Sequence, residues 1–191
     1  MKRHARQVGE IVYAWNSAHG ALFWVFWTLL GKGQPVAHGI WHTIQNDSAQ
    51  LQMLSQLAEK SEAHTISIRK AVVWAVWAMT QLSPYRNNAA HVQMFYHYTE
   101  LLPSDVTSRT NAITRLSQSP VETYWRRLRG DLRAIENYAM DLHISIMMGN
   151  ARPLTHRPRL QLVPAKSGRS RPKTRPRKKA KRRSPLQPSQ A

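Results

Sequence analysis

Apolar residues recur at every third or fourth position along most of this 191-residue chain. That is the spacing of α-helices that turn one face to a core. Val8, Val12, Trp15, His19, Leu22, Phe26 and Leu29 predict a first helix over 6–30, stopped by Gly31, Gly33 and Pro35. A second helix is expected over 36–62 on Ile40, Ile44, Asp47, Leu51, Leu54 and Ala58. A third is expected over 66–82 on Val72, Val76 and Met79, with Trp74 and Trp77. The most regular pattern is the last: Val121, Trp125, Leu128, Leu132, Ile135, Ala139, Leu142 and Ile146, with Pro120 suited to its first turn and Gly149 to its end. No stretch alternates as a strand does, and there is no internal repeat. The fold class that follows is all-α, a helical bundle of four main helices plus a short helix or loop insertion. Residues 92–119 read either as a short helix with a long loop or as a small hairpin-like insertion.

The pattern ends near Gly149–Pro153, and charge changes there too. Residues 1–150 carry 14 Lys and Arg against all 10 acidic residues, whereas residues 151–191 carry 14 Lys and Arg and no acid. The net charge of +18 therefore belongs almost wholly to the C-terminal segment. That segment holds 7 of the 11 prolines and no aromatic residue. Such a composition offers too little apolar surface to offset chain entropy, so residues 151–191 are expected to be a disordered basic tail after a bundle over 1–150.

Candidate chemistry concentrates in "QLSPYRNNAAH", residues 81–91. Ser83 followed by Pro84 reads as an N-cap and first helical residue, and Tyr85, Ala89, Val92 and Phe95 continue at helical spacing. A short helix over 84–96 is therefore expected. Asn87 and His91 would share a face, while Arg86, in the first turn, would reach an anion held by the free amides and the helix dipole. A neutral histidine can take a proton from a ribose 2′-hydroxyl, and an arginine can hold the phosphate during in-line attack. The plainer reading is a polar turn in which Asn87 and His91 cap and pack.

The residues "RNNAAH" resemble the R-X4–6-H motif of the HEPN superfamily, in the form with a polar residue directly after the arginine. The information lies less in the spacing than in that asparagine, in the small alanines before the histidine and in the apolar helix upstream. The resemblance covers residues 81–91 and implies an all-α fold and metal-independent endoribonuclease chemistry. Arg86 would be the motif arginine, Asn87 the polar residue and His91 the motif histidine, with two motif copies paired across a homodimer. RNA would be the ligand, and a protein antitoxin is a further partner that the resemblance allows. Members without catalytic activity bind RNA or proteins instead.

Two polar residues on apolar faces bear on this site. Asp47 on the second helix either orients Arg86 or His91 or forms a structural ion pair, since a buried carboxylate is costly when unpaired. His19 on the first helix either approaches the site or bonds a backbone carbonyl in the core. The apolar residues Phe23, Trp24, Phe26 and Trp27 give the first helix more than one apolar side, which implies deep burial or a dimer contact. No metal-ligand spacing, phosphate loop or nucleophile elbow occurs, so no cofactor or metal is expected. The chain has no cysteine. The N-terminal residues lack a clean apolar signal core, and the most apolar run, 21–30, is well short of the roughly 20 residues that span a bilayer. A cytoplasmic protein is expected, with no transmembrane segment.

The basic segment has its own chemistry. Arg169, Arg171, Lys173, Arg175, Arg177, Lys178, Lys179, Lys181, Arg182 and Arg183 form a run suited to phosphate backbones. Without interleaved aromatics it should not stack on bases, so its binding should be largely independent of sequence. The alternatives are a solvated extension and an anionic membrane surface. Two function classes remain: a HEPN-like protein that cuts or binds RNA, and a non-enzymatic helical interaction module whose tail binds nucleic acid non-specifically.

Overall fold

The computed structural model describes residues 2–91, 121–149 and 155–163. Among these residues the chain forms five α-helices: α1 (Lys2–Leu30), α2 (Gln34–Thr43), α3 (Asp47–Lys60), α4 (Ile66–His91) and α5 (Val121–Met147). The all-α bundle stands, with five helices among these residues where four main ones are expected.

Helix α1 is the spine. Ile11, Trp15, Ala18, Leu22, Val25, Phe26 and Leu29 are all buried, and α2, α3, α4 and α5 all pack against it. Its second apolar side is covered within the chain: Phe23 stacks near Trp41 of α2, and Trp24 and Trp27 lie against His143 of α5. Gln7 and Glu10 meet Arg129 at one end of this contact, and Trp24 and Trp27 meet His143 further along. Helices α1 and α5 therefore run side by side in the same direction. The buried face of α5 (Trp125, Leu128, Leu132, Ile135, Ala139, Leu142 and Ile146) is the predicted one.

Three boundaries differ from the sequence reading, each for a local reason. The expected single helix over 36–62 is two helices. Asn46 caps α3 by accepting from the Ser48 and Ala49 amides. Buried Gln50 reaches back and donates its amide to the Trp41 and Ile44 carbonyls at 2.8 and 2.7 Å. The apolar spacing continues across this break because both helices face the same core. The second difference is at Ser83–Pro84, which starts no helix: α4 runs through Pro84 to His91. A proline inside a helix costs about 3 kcal/mol, and the surrounding packing offsets it. Tyr85 and Ala89 are buried, the Tyr85 hydroxyl donates to the Leu162 carbonyl, and the Tyr124 hydroxyl donates to the Tyr85 carbonyl.

The third difference concerns the assigned tail. Residues 155–163 lie on the bundle as an irregular strap with Leu162 and Val163 buried. The buried Asp131 carboxylate accepts the Gln161 and Leu162 amides, both at 2.8 Å, and Arg157 donates to the Lys70 carbonyl. Residues 155–163 of the expected tail therefore pack on the bundle. The expected insertion over 92–119 and the basic run over 169–183 lie outside the described residues.

Gln50 supplies one bond to the Ile44 carbonyl and a second to the Trp41 carbonyl, which also accepts the Ile44 amide at 3.3 Å. Gln50→Ala is expected to destabilise the protein by about 1–3 kcal/mol, the cost of leaving such groups unpaired. The urea unfolding midpoint would show this, and an unchanged midpoint would mean that water replaces the amide.

Candidate functional site

The sequence directs attention to α4, and the structure builds a polar cluster around one of the residues it singled out. Arg86 projects from α4 toward α1 and α3. Its Nη2 donates to Asp47 Oδ2 at 2.6 Å, as an ion pair. The same Asp47 oxygen accepts the indole N–H of Trp15 at 2.9 Å. The guanidinium lies 4.6 Å from the centroid of the Trp15 ring, within range of a cation–π attraction. Asp47 is held in place because it opens α3 directly after the Asn46 cap. A carboxylate in a first helical turn is also favoured by the helix dipole.

His19 stands one turn beyond Trp15 on α1. Its ring lies 5.3 Å from that of Trp41, and its Nε2 is buried with no partner among the described residues. Burial lowers its pKa below the usual imidazole range. The Asp47 carboxylate opposes this shift, and the Arg86 charge adds to it. His19 is therefore neutral near pH 7. It lies close enough to Asp47 and Arg86 to feel both charges.

The remaining candidates separate. Asn87 is exposed, whereas its neighbour Asn88 is buried and bonds Tyr124. His91 is the last described residue of α4, and its side chain lies outside the described set. The expected anion seat at a helix N-terminus is also absent, because Arg86 lies in the interior of α4, where amides are bonded to the preceding turn. Its charge already faces a carboxylate. The pair is only partly shielded, with side-chain exposures of 29% for Arg86 and 41% for Asp47, so its worth to stability is on the order of 1 kcal/mol or less.

Sequence reasoning missed two members. Trp15 reads as core from its spacing alone, and nothing local says that its indole nitrogen faces a carboxylate 32 positions away. Asn88 is indistinguishable from Asn87 in the sequence, and only the continuation of α4 through Pro84 sets which of them points inward. Among the described residues, no group of three or more His, Asp or Glu side chains converges as metal ligands do. No described helix is long and apolar enough to cross a membrane.

The lowered pKa of His19 has a consequence for stability. The unfolded histidine titrates near 6.5, so below that pH the unfolded chain binds a proton that the folded chain resists. Stability therefore falls as pH drops through 6.5 toward the folded value. His143 on α5, also lowered by burial, adds to the same trend. His19→Asn is expected to flatten the dependence between about pH 7 and 5, measured as urea midpoints. An identical slope in the variant would mean that His19 takes up its proton freely in the folded state.

No family model, curated protein or solved structure matches this chain.

Proposed function

We propose that this protein is a helical RNA-binding module, in which the bundle presents a basic C-terminal segment to the phosphate backbone. One observation carries the reading: 14 Lys and Arg with no acid follow residue 150, and the strap over 155–163 fixes the start of that segment to α4 and α5. A charge run of this density attracts any nucleic acid through counterion release. Anchoring it to a folded body gives that attraction a definite place on the molecule. Cytoplasmic location and assembly as a homodimer belong to the same reading.

A second reading, a HEPN-type endoribonuclease with Arg86, Asn87 and His91 as its motif, is favoured by Asp47. The carboxylate grips one edge of Arg86 and fixes its side chain, as a positioned phosphate ligand requires. Its weakness is that the same carboxylate neutralises the charge which a phosphate would use. The non-enzymatic module therefore comes first. A protein antitoxin as partner belongs only to this second reading.

Two experiments test these readings. Binding of the full chain to a labelled single-stranded oligouridine should weaken steeply with salt. Replacing Lys178, Lys179, Lys181, Arg182 and Arg183 together by glutamine should reduce the slope of log K against log[salt] by as much as about 3.5, at about 0.7 per lost single-strand contact. Binding that is absent at low salt, or untouched by the replacements, refutes the module. For the nuclease, cleavage by the purified wild type should be lost in His91→Ala while the fold is retained. Cleavage that survives the substitution removes His91 from the chemistry.

A further inference from the structure

A second basic feature lies away from Arg86, where α1 and α5 run side by side. The helices leave an open groove of about 610 Å³ between Gly9, Tyr13, Ala14 and Ser17 on one wall and Arg126, Arg129, Gly130 and Arg133 on the other. It exists because short side chains face one another there. Gly9 has no atom within 4 Å of where a methyl group would stand. Two features point to its occupant.

The first is Tyr13, which is 75% exposed on a helix whose other aromatic residues are buried or half-buried. The second is the arginine series. Positions 126, 129 and 133 fall on one helical face and span about 10 Å of axis. Arg126 and Arg133 are exposed. Arg129 is held in place by Gln7 and by Glu10, the latter at 3.3 Å. An exposed aromatic ring beside a row of cations is the pairing that single strands use, with a base on the ring and phosphates on the guanidinium groups. A duplex keeps its bases stacked and has no use for the ring.

We infer that this groove binds single-stranded nucleic acid, with Tyr13 as the platform for one base and the exposed Arg126 and Arg133 as phosphate contacts. The inference rests on the nucleic-acid reading above and gives it a location on the bundle. Two carboxylates also line the groove. Glu10 is shared by Arg6 at 2.9 Å and Arg129, so its charge is spent locally. Glu136 stands beyond Arg133 and bounds the anionic track at that end. Gln161 of the strap passes 3.7 Å from where a Gly130 methyl group would stand. The described strap thus passes beside the α5 wall of the groove.

The test uses the full chain, the same labelled oligouridine and three variants: Tyr13→Ala, Tyr13→Phe, and Arg126→Glu with Arg133→Glu. Tyr13→Ala should weaken binding about 5- to 150-fold, the worth of one stacked base, and Tyr13→Phe should restore it. The double arginine variant should lower the salt slope by about 1.4. If the wild type binds and all three variants match it, the groove is refuted while the basic segment keeps the RNA-binding reading. If the wild type does not bind, both fall. Polyglutamate that displaces the oligouridine as well as unlabelled oligouridine does, charge for charge, refutes base stacking in favour of an acidic peptide. Should a variant fail to fold, ultraviolet cross-linking of oligouridine to the wild type decides: adducts on the peptide bearing Tyr13 support the groove, and adducts found only elsewhere overturn it.

Discussion

A helix that is apolar around most of its circumference must be enclosed, and α1 imposes that demand on the rest of the chain. Leu22, Val25, Phe26 and Leu29 cannot be hidden by one neighbour. Four other helices surround them, and the large rings of Trp41 and Trp125 complete the filling. Each fully buried side chain of this size contributes about 1.5–3 kcal/mol relative to exposure. The polar features of the molecule are consequences of this enclosure. Asp47 meets Trp15 and Arg86 because α3 and α4 must both reach α1. Gln50 bonds the end of α2 because α2 must turn back over the same core.

Helices with a single partner face were legible in the sequence. Helix α5 needs one buried stripe, and its residues from Trp125 to Ile146 spell it without interruption. The break between α2 and α3 was hidden, because both pieces point their apolar residues at α1 and the spacing survives the turn. Asn46 and Gln50 carry the information, yet a cap and a buried amide look like ordinary polar residues until their partners are known. Ser83–Pro84 misled for the opposite reason. Its local preference for a helix start is real, but Tyr85 and Ala89 have tertiary partners that reward continuation. The strap was hidden by composition. A proline- and arginine-rich context outweighs two apolar residues in any average, while Asp131 selects the amides of Gln161 and Leu162 individually.

The candidate site was legible in part. Asp47 stood out because a carboxylate on an apolar face needs a partner, and Arg86 proves to be that partner. The chemistry assigned to Arg86 depended on a free helix end that the fold does not provide. The α1–α5 groove drew no notice in the sequence, because three arginines over 126–133 look like a solvated helix face. Their meaning arises only when Tyr13, more than 100 positions earlier, is placed across from them.

The shared direction of α1 and α5 has an electrical consequence. Parallel peptide dipoles repel weakly and bring their positive poles to one end of the bundle, each equivalent to roughly half an elementary charge. The arginine-lined opening sits in the half of both helices nearest that end. Helix α4 runs the other way, with Tyr85 at the start of α5 and Trp74 against Tyr138, and its dipole offsets part of this. An anion meeting this end would therefore respond to the arginine side chains more than to the peptide dipoles.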